Sequence, residues 1–123
     1  MRLSGKEYAL RFSVDVFFKL EEKYGTANAI EILTKPGAEG FNALCWLVAE
    51  MSKAAELYKR YMGESPNEYL KEEFVRAVIL PWEMPKIRDE AIEAVMKGIQ
   101  RQEESEEEID IGLQELQKKT ESE

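Results

Sequence analysis

The sequence predicts a mainly α protein: a short N-terminal β-hairpin packed on a bundle of about five helices, followed by an acidic C-terminal tail. Three observations carry this. Between Ser13 and Arg101, apolar residues recur at helical spacing in successive stretches, each bounded by Gly, Pro or a capping residue. Ahead of them, a short run alternates apolar and polar residues. Charge is also placed unevenly. Residues 1–101 carry 15 basic and 16 acidic side chains, whereas residues 102–123 carry two lysines against nine acidic residues. The division predicts a helical domain over 1–101 and an acidic, flexible tail over 102–123.

The hairpin is read from RLSGKEYALRFS. Ser4-Gly5-Lys6 forms the turn, Gly5 supplies a positive φ, and Tyr8, Leu10 and Phe12 alternate with Glu7, Ala9 and Arg11 to give one apolar face. Two strands are marginal alone, so the hairpin must rest on helices. Ser13 then caps a helix over Val14–Tyr24, with Val16, Phe17, Leu20 and Tyr24 inward and Gly25 as the stop. Thr26 caps a short second helix in which Ile30 and Leu33 face in, and Pro36-Gly37 ends it. The longest helix runs from about Ala38 to Met62. Its stripe is Phe41, Leu44, Cys45, Val48, Met51, Ala55, Tyr58 and Met62, widened by Leu47, Ala54 and Leu57, which makes it central. Gly63 closes it. Ser65-Pro66-Asn67-Glu68 has the pattern of a capping box and predicts a fourth helix lined by Tyr69, Leu70, Phe74, Val78 and Ile79. Pro81 and Pro85 end that helix. The last core helix places Ile87, Ala91, Ile92, Val95 and Ile99 inward. Glu103–Glu108 lacks the apolar surface needed to fold.

Composition argues against chemistry. There is no histidine, and a lone cysteine cannot build a thiolate zinc site. No phosphate-binding glycine loop and no nucleophile elbow is present. These absences predict a non-enzyme without cofactor or metal. At a net charge of −8 the chain is a poor nucleic-acid binder. It carries no apolar run long enough to span a membrane and no signal-peptide pattern, which together with the single cysteine predicts a cytoplasmic protein. The pairs Glu21-Glu22 and Glu72-Glu73 point in different directions on their helices and read as solvated faces. Cys45 reads as core.

Partner-binding candidates are aromatic or lie in the tail. Lys59 and Arg60 between Tyr58 and Tyr61 read first as cations at a helix C-terminus. Tyr58 and Tyr61 are nonetheless candidate anchors, because binding energy concentrates in aromatics. Trp82 reads first as a plug over the core between two helices and second as an exposed anchor. In the tail, Ile109, Leu113 and Leu116 fall at i, i+4 and i+7, a short amphipathic pattern interrupted by Gly112. Such a segment either stays solvated or folds on a partner.

The stretch RLSGKEYALRFSVDVFFKLEEKYG resembles the N-terminal signature of phage tail assembly chaperones, through Gly5, Lys6, Tyr8, Leu10, Leu20, Glu21, Glu22 and Gly25. The later ALCWLVAEMSKAAELYKRYMG and PWEMPKIRDEAIEAVMKGI look like the continuation in members of Gram-positive type, so the resemblance covers most of residues 1–101. It implies a non-enzymatic protein of the bacterial host cytoplasm. Such a protein binds the long, helical tape measure protein and keeps it soluble during tail assembly. The resemblance also implies a short form and a longer, frameshifted form that could reach the tail tube protein. Lys118-Lys119 marks a place for such a frameshift. Homo-oligomers stay open. The other reading is a small acidic adaptor that binds or inhibits a basic protein through the tail.

Overall fold

The computed structural model describes the backbone of residues 1–109 and the side chains of residues 1–100. The fold is mainly α, with a two-stranded antiparallel hairpin at the N-terminus and five helices. Strands β1 (Arg2–Leu3) and β2 (Lys6–Glu7) precede α1 (Val14–Tyr24), α2 (Ala29–Leu33), α3 (Gly37–Tyr61), α4 (Glu72–Val78) and α5 (Met84–Ile109). A 3-10 turn, Pro81–Glu83, joins α4 to α5. Helix α3 touches each of the other four helices, as its wide apolar stripe requires.

The hairpin is tighter than expected. Leu3 pairs with Lys6, so the turn is Ser4-Gly5 alone and Lys6 belongs to β2. Both turn residues have positive φ, 53° and 80°, the type I′ geometry that matches strand twist. The strands are two residues each, and residues 8–13 belong to neither strand nor helix. The alternation still has its expected consequence: Tyr8, Leu10 and Phe12 pack against the core.

Helix α1 has the predicted bounds. The Ser13 hydroxyl accepts a hydrogen bond from the Val16 N–H, and Gly25 closes the helix at φ 73°. Helix α2 is shorter than expected. Asn28 is its cap, accepting from the Glu31 N–H at 3.0 Å, while the Thr26 hydroxyl accepts from the Asn28 N–H one step earlier. The later start turns Ala29, Ile32 and Leu33 inward and leaves Ile30 half-buried. Helix α3 ends in a Schellman pair. The Glu64 N–H donates to the Lys59 carbonyl at 2.9 Å and the Gly63 N–H to the Arg60 carbonyl at 3.2 Å.

The largest departure follows. Residues 65–71 are not helical, and α4 begins only at Glu72 behind Lys71, which makes no side-chain cap. The capping box at Ser65 is overruled by tertiary structure. Two polar side chains buried one turn apart on α3 hold the segment against that helix. Ser52 Oγ accepts the Leu70 N–H at 2.9 Å, and Glu56 Oε1 accepts the Asn67 N–H at 2.7 Å. Lys59 Nζ donates to the other Glu56 oxygen at 3.2 Å. The arrangement buries Leu70, worth about 1.5–3 kcal/mol, against about 1 kcal/mol for a cap. With so late a start, α4 buries only Val75, and Tyr69 and Phe74 stay partly exposed.

Helix α5 buries Ile87, Ala91 and Val95, half-buries Ile92 and leaves Ile99 exposed, because the body of the domain ends near Gly98. Its backbone continues through Glu103–Glu108 to Ile109, across the expected boundary at residue 101. Extending an existing helix avoids the nucleation cost that an isolated acidic run would face. The side chain of Ile109, and Leu113, Leu116 and Lys118-Lys119 entirely, lie outside the described residues.

Candidate functional site: two uncovered surfaces at one end of the domain

The path of the chain after α3 decides which candidate residues meet. Hydrogen bonds step backwards along α3: Asn67 reaches Glu56, Leu70 reaches Ser52, and Arg76 Nη1 donates to Asn42 Oδ1 at 2.9 Å. Helix α4 therefore runs antiparallel to α3 and delivers Trp82 towards the N-terminal end of α3. Tyr61 lies at the other end, about 28 Å from Asn42 at 1.5 Å per residue. Tyr58 and Tyr61 share a surface; Trp82 does not join them. Nor is Trp82 a plug. It is 74% exposed, because the Glu83 carboxylate accepts the Leu80 N–H at 2.9 Å and fixes a turn that leaves the indole outside the core.

At the C-terminal end of α3, Leu57, Tyr58, Tyr61 and Met62 fall at i, i+1, i+4 and i+5 and are all exposed, Tyr61 by 80%. Tyr58, Leu57 and Met62 thus leave the buried stripe to which their spacing assigned them. Past Glu56 the helix outruns its neighbours, and the segment that folds back covers only the Ser52 and Glu56 side. Tyr58 is 42% exposed, and its ring carries the Arg11 guanidinium 3.8 Å from the ring centroid. This is a cation–π contact that orients both side chains. Lys59 is half-buried and pairs with Glu56, the helix-end placement expected of it; Arg60 is exposed.

A second surface adjoins this strip. The chain from Tyr8 to Phe12, the α5 face bearing Glu90, Glu93 and Lys97, and Tyr58 on α3 enclose a cleft of about 950 Å³. Glu90 Oε1 is buried there with no hydrogen-bond partner among the described residues. Sequence reasoning passed over this cleft, and over Ser52 and Glu56, because each lies in an otherwise ordinary helical pattern. The one available signal was a charged residue at 56, one position from the apolar stripe.

Titratable groups are tuned by packing and pairing. Burial pushes the Cys45 thiol up to about 11. Burial also raises Tyr24, whose ring meets Trp46 edge-on at 5.8 Å. The N-terminal ammonium, 2.9 Å from Glu7, holds that exposed carboxyl below its ordinary value, with Arg2 assisting. Asp15 and then Glu50 hold Lys19 protonated to higher pH. Glu21 and Glu22 are exposed, Glu73 is exposed, and Glu72 pairs with Arg76 at 3.1 Å, so neither adjacent pair converges on a cleft. Among the described residues no cluster of three His, Cys, Asp or Glu could hold a metal, and no helix is long and apolar enough to cross a membrane.

Compared with family models, with curated proteins and with solved structures, the chain matches none. The candidate site therefore stands on its own geometry.

Proposed function

We propose that this protein is a non-enzymatic binding protein of the tail assembly chaperone kind, which covers an amphipathic helical segment of a tape measure protein in the bacterial host cytoplasm. The observation that carries the reading is the uncovered strip of Leu57, Tyr58, Tyr61 and Met62 on a rigid helix end. An amphipathic client helix presents anchors at i, i+3, i+4 and i+7, and a strip of two aromatics flanked by Leu and Met meets such a face. Met adapts to varied client side chains, which suits a long client with many non-identical turns. The sequence resemblance through Gly5, Lys6, Tyr8, Leu10, Leu20, Glu21, Glu22 and Gly25 supports the same reading.

The test is capture of a labelled tape measure fragment by the full chain. Tyr61→Ala should weaken capture by about tenfold or more, as truncation of an exposed aromatic anchor does, while leaving the thermal midpoint unchanged. Trp82→Ala, at the far end of α3, should leave capture unaltered. Equal capture by wild type and Tyr61→Ala would remove the strip from the reading. The concentration of acid in residues 102–123 favours a second reading, an acidic adaptor for a basic protein. In that case capture would collapse with added salt and be indifferent to Tyr61.

A further inference from the structure

On the side turned away from the buried stripe, α3 presents apolar side chains bordered by cations. Leu57 and Tyr61 lie one turn apart and are exposed. Lys53 and Arg60, at i−4 and i+3 from Leu57, run along one side of them and are exposed as well. On the other side the Arg11 guanidinium rests on the Tyr58 ring. Neither Lys53 nor Arg60 is in an ion pair among the described residues. Of the acids in the same stretch of chain, Glu50 is answered by Lys19 at 3.4 Å and Glu56 by Lys59 at 3.2 Å. That leaves Glu64, just past the helix end, against the two free cations.

The same chain carries the complement of this face. Ile109, Leu113 and Leu116 fall at i, i+4 and i+7. At helical spacing Glu106 and Asp110 border that row on one side, and Glu108 and Glu115 on the other. From Ile109 to Leu116 is seven residues, as from Lys53 to Arg60, which is about 10 Å of helix in each case. The two faces match in length and spacing and are opposite in charge. The path of α5 decides which copy of the strip the tail meets. Gly98 and Tyr58 line one cleft, and from Gly98 the helix backbone runs on to Ile109, about 16 Å further. Leu113, four residues past Ile109, could return at most about 14 Å even if fully extended. An unbroken α5 therefore carries the aliphatic row clear of the domain that bears it.

We propose that the strip of one copy holds residues 109–116 of a second copy, seated as a helix with its aliphatics on Leu57, Tyr58 and Tyr61 and its acids against Lys53, Arg60 and Arg11. Exchanged reciprocally, the contact closes as a twofold dimer. A helix this short, interrupted by Gly112, is marginal alone, so docking supplies its order. The inference rests on the strip as a binding surface and not on the identity of a client.

Sedimentation equilibrium of the full chain, with no client present, is the test. The mass should rise with concentration from one chain towards two, and added salt should weaken the association. Leu113→Asp, in the tail, and Tyr61→Ala, at a position 80% exposed, should each weaken it at least about tenfold and leave the thermal midpoint as it is. Lys53→Glu combined with Arg60→Glu should do the same at low salt. The Leu113→Asp chain keeps an intact strip and the Tyr61→Ala chain an intact tail. Each alone should stay a single chain where the wild type pairs, while their mixture should form a one-to-one pair through its one intact contact, at higher concentration than the wild type needs. A wild type that remains a single chain up to millimolar concentration would overturn the proposal. So would association unchanged by Leu113→Asp or by Tyr61→Ala, or a mixture in which no pair forms by the same concentration. Because no client is present, these outcomes are separate from those of the capture assay that tests the tape measure reading.

Discussion

Replacing Ser52 by alanine removes the only acceptor of the Leu70 N–H among the described residues. The hydroxyl accepts that N–H at 2.9 Å, and both Ser52 and Leu70 are buried, so no solvent replaces it. An unsatisfied buried donor costs about 1–3 kcal/mol. For a domain of this size that corresponds to a loss of about 4–12 °C in the thermal midpoint. Ser65→Ala supplies the opposite arm. If Ser65 capped a helix beginning at Pro66, its loss would cost about 1 kcal/mol. Because residues 65–71 are not helical and the chain is exposed around Ser65, the expected change is within about 0.5 kcal/mol. Thermal melts followed by far-ultraviolet circular dichroism give both numbers. Amide hydrogen exchange adds a local reading: protection of the Leu70 N–H should fall in Ser52→Ala by more than protection of α1 amides. A neutral Ser52→Ala together with a destabilised Ser65→Ala would show that the capping box forms and that the tertiary clamp is wrong.

Other outcomes follow from single contacts. Gly98→Ala sets a Cβ 2.7 Å from the Phe12 carbonyl oxygen and 2.9 Å from the Phe12 Cβ, neither of which can swing away, so a chemical melt should show about 1–3 kcal/mol lost. Cys45, buried with its thiol pushed up to about 11, should resist thiol reagents at pH 8 in the folded protein and react at once in denaturant. The same shift makes stability fall as pH rises between about 9 and about 11, because the unfolded chain releases the proton first; Cys45→Ala should flatten that part of the profile. Glu7, held low by the Met1 ammonium, should titrate below the ordinary carboxylate value by NMR, and acetylation of the N-terminus should return it upward.

How far the sequence specified this fold depends on whether a signal was local. Ser13 and Gly25 bound α1 as read, since both act within one turn: the hydroxyl on the Val16 N–H, and the φ of 73° that only glycine adopts without strain. Gly63 closes α3 for the same reason. The Ser65 box is as good a local signal and fails. Its competitors, Ser52 and Glu56, lie 13 and 9 positions upstream, where no window on residues 65–68 can see them. Inside α3, spacing placed Leu44, Val48 and Met51 in the core correctly and Tyr58 and Met62 incorrectly, although all five lie on one stripe. Periodicity shows which residues share a face; it does not show where along the helix the neighbours stop.

The same limit separates what was legible of the candidate site from what was not. Tyr58 and Tyr61 were identifiable as aromatics beside charge at a helix end, and their exposure follows once α3 is seen to outrun its neighbours. Trp82 carried the same aromatic signal, yet the antiparallel return of α4 takes it to the other end of the molecule, and one hydrogen bond from Leu80 to Glu83 turns it outward. The groove beside Leu10 had no signal at all. It exists because Gly98 lets α5 approach closely at Phe12, while the face bearing Glu90, Glu93 and Lys97 stands off from the chain between Tyr8 and Phe12. A cleft is a relation between segments distant in sequence. Composition does not encode it, and an alternating run reads the same whether its neighbour is present or missing. The acid on the facing helix then becomes informative. On an exposed face Glu90 would be one solvated carboxylate among many; here one of its oxygens is buried without a hydrogen-bond partner among the described residues.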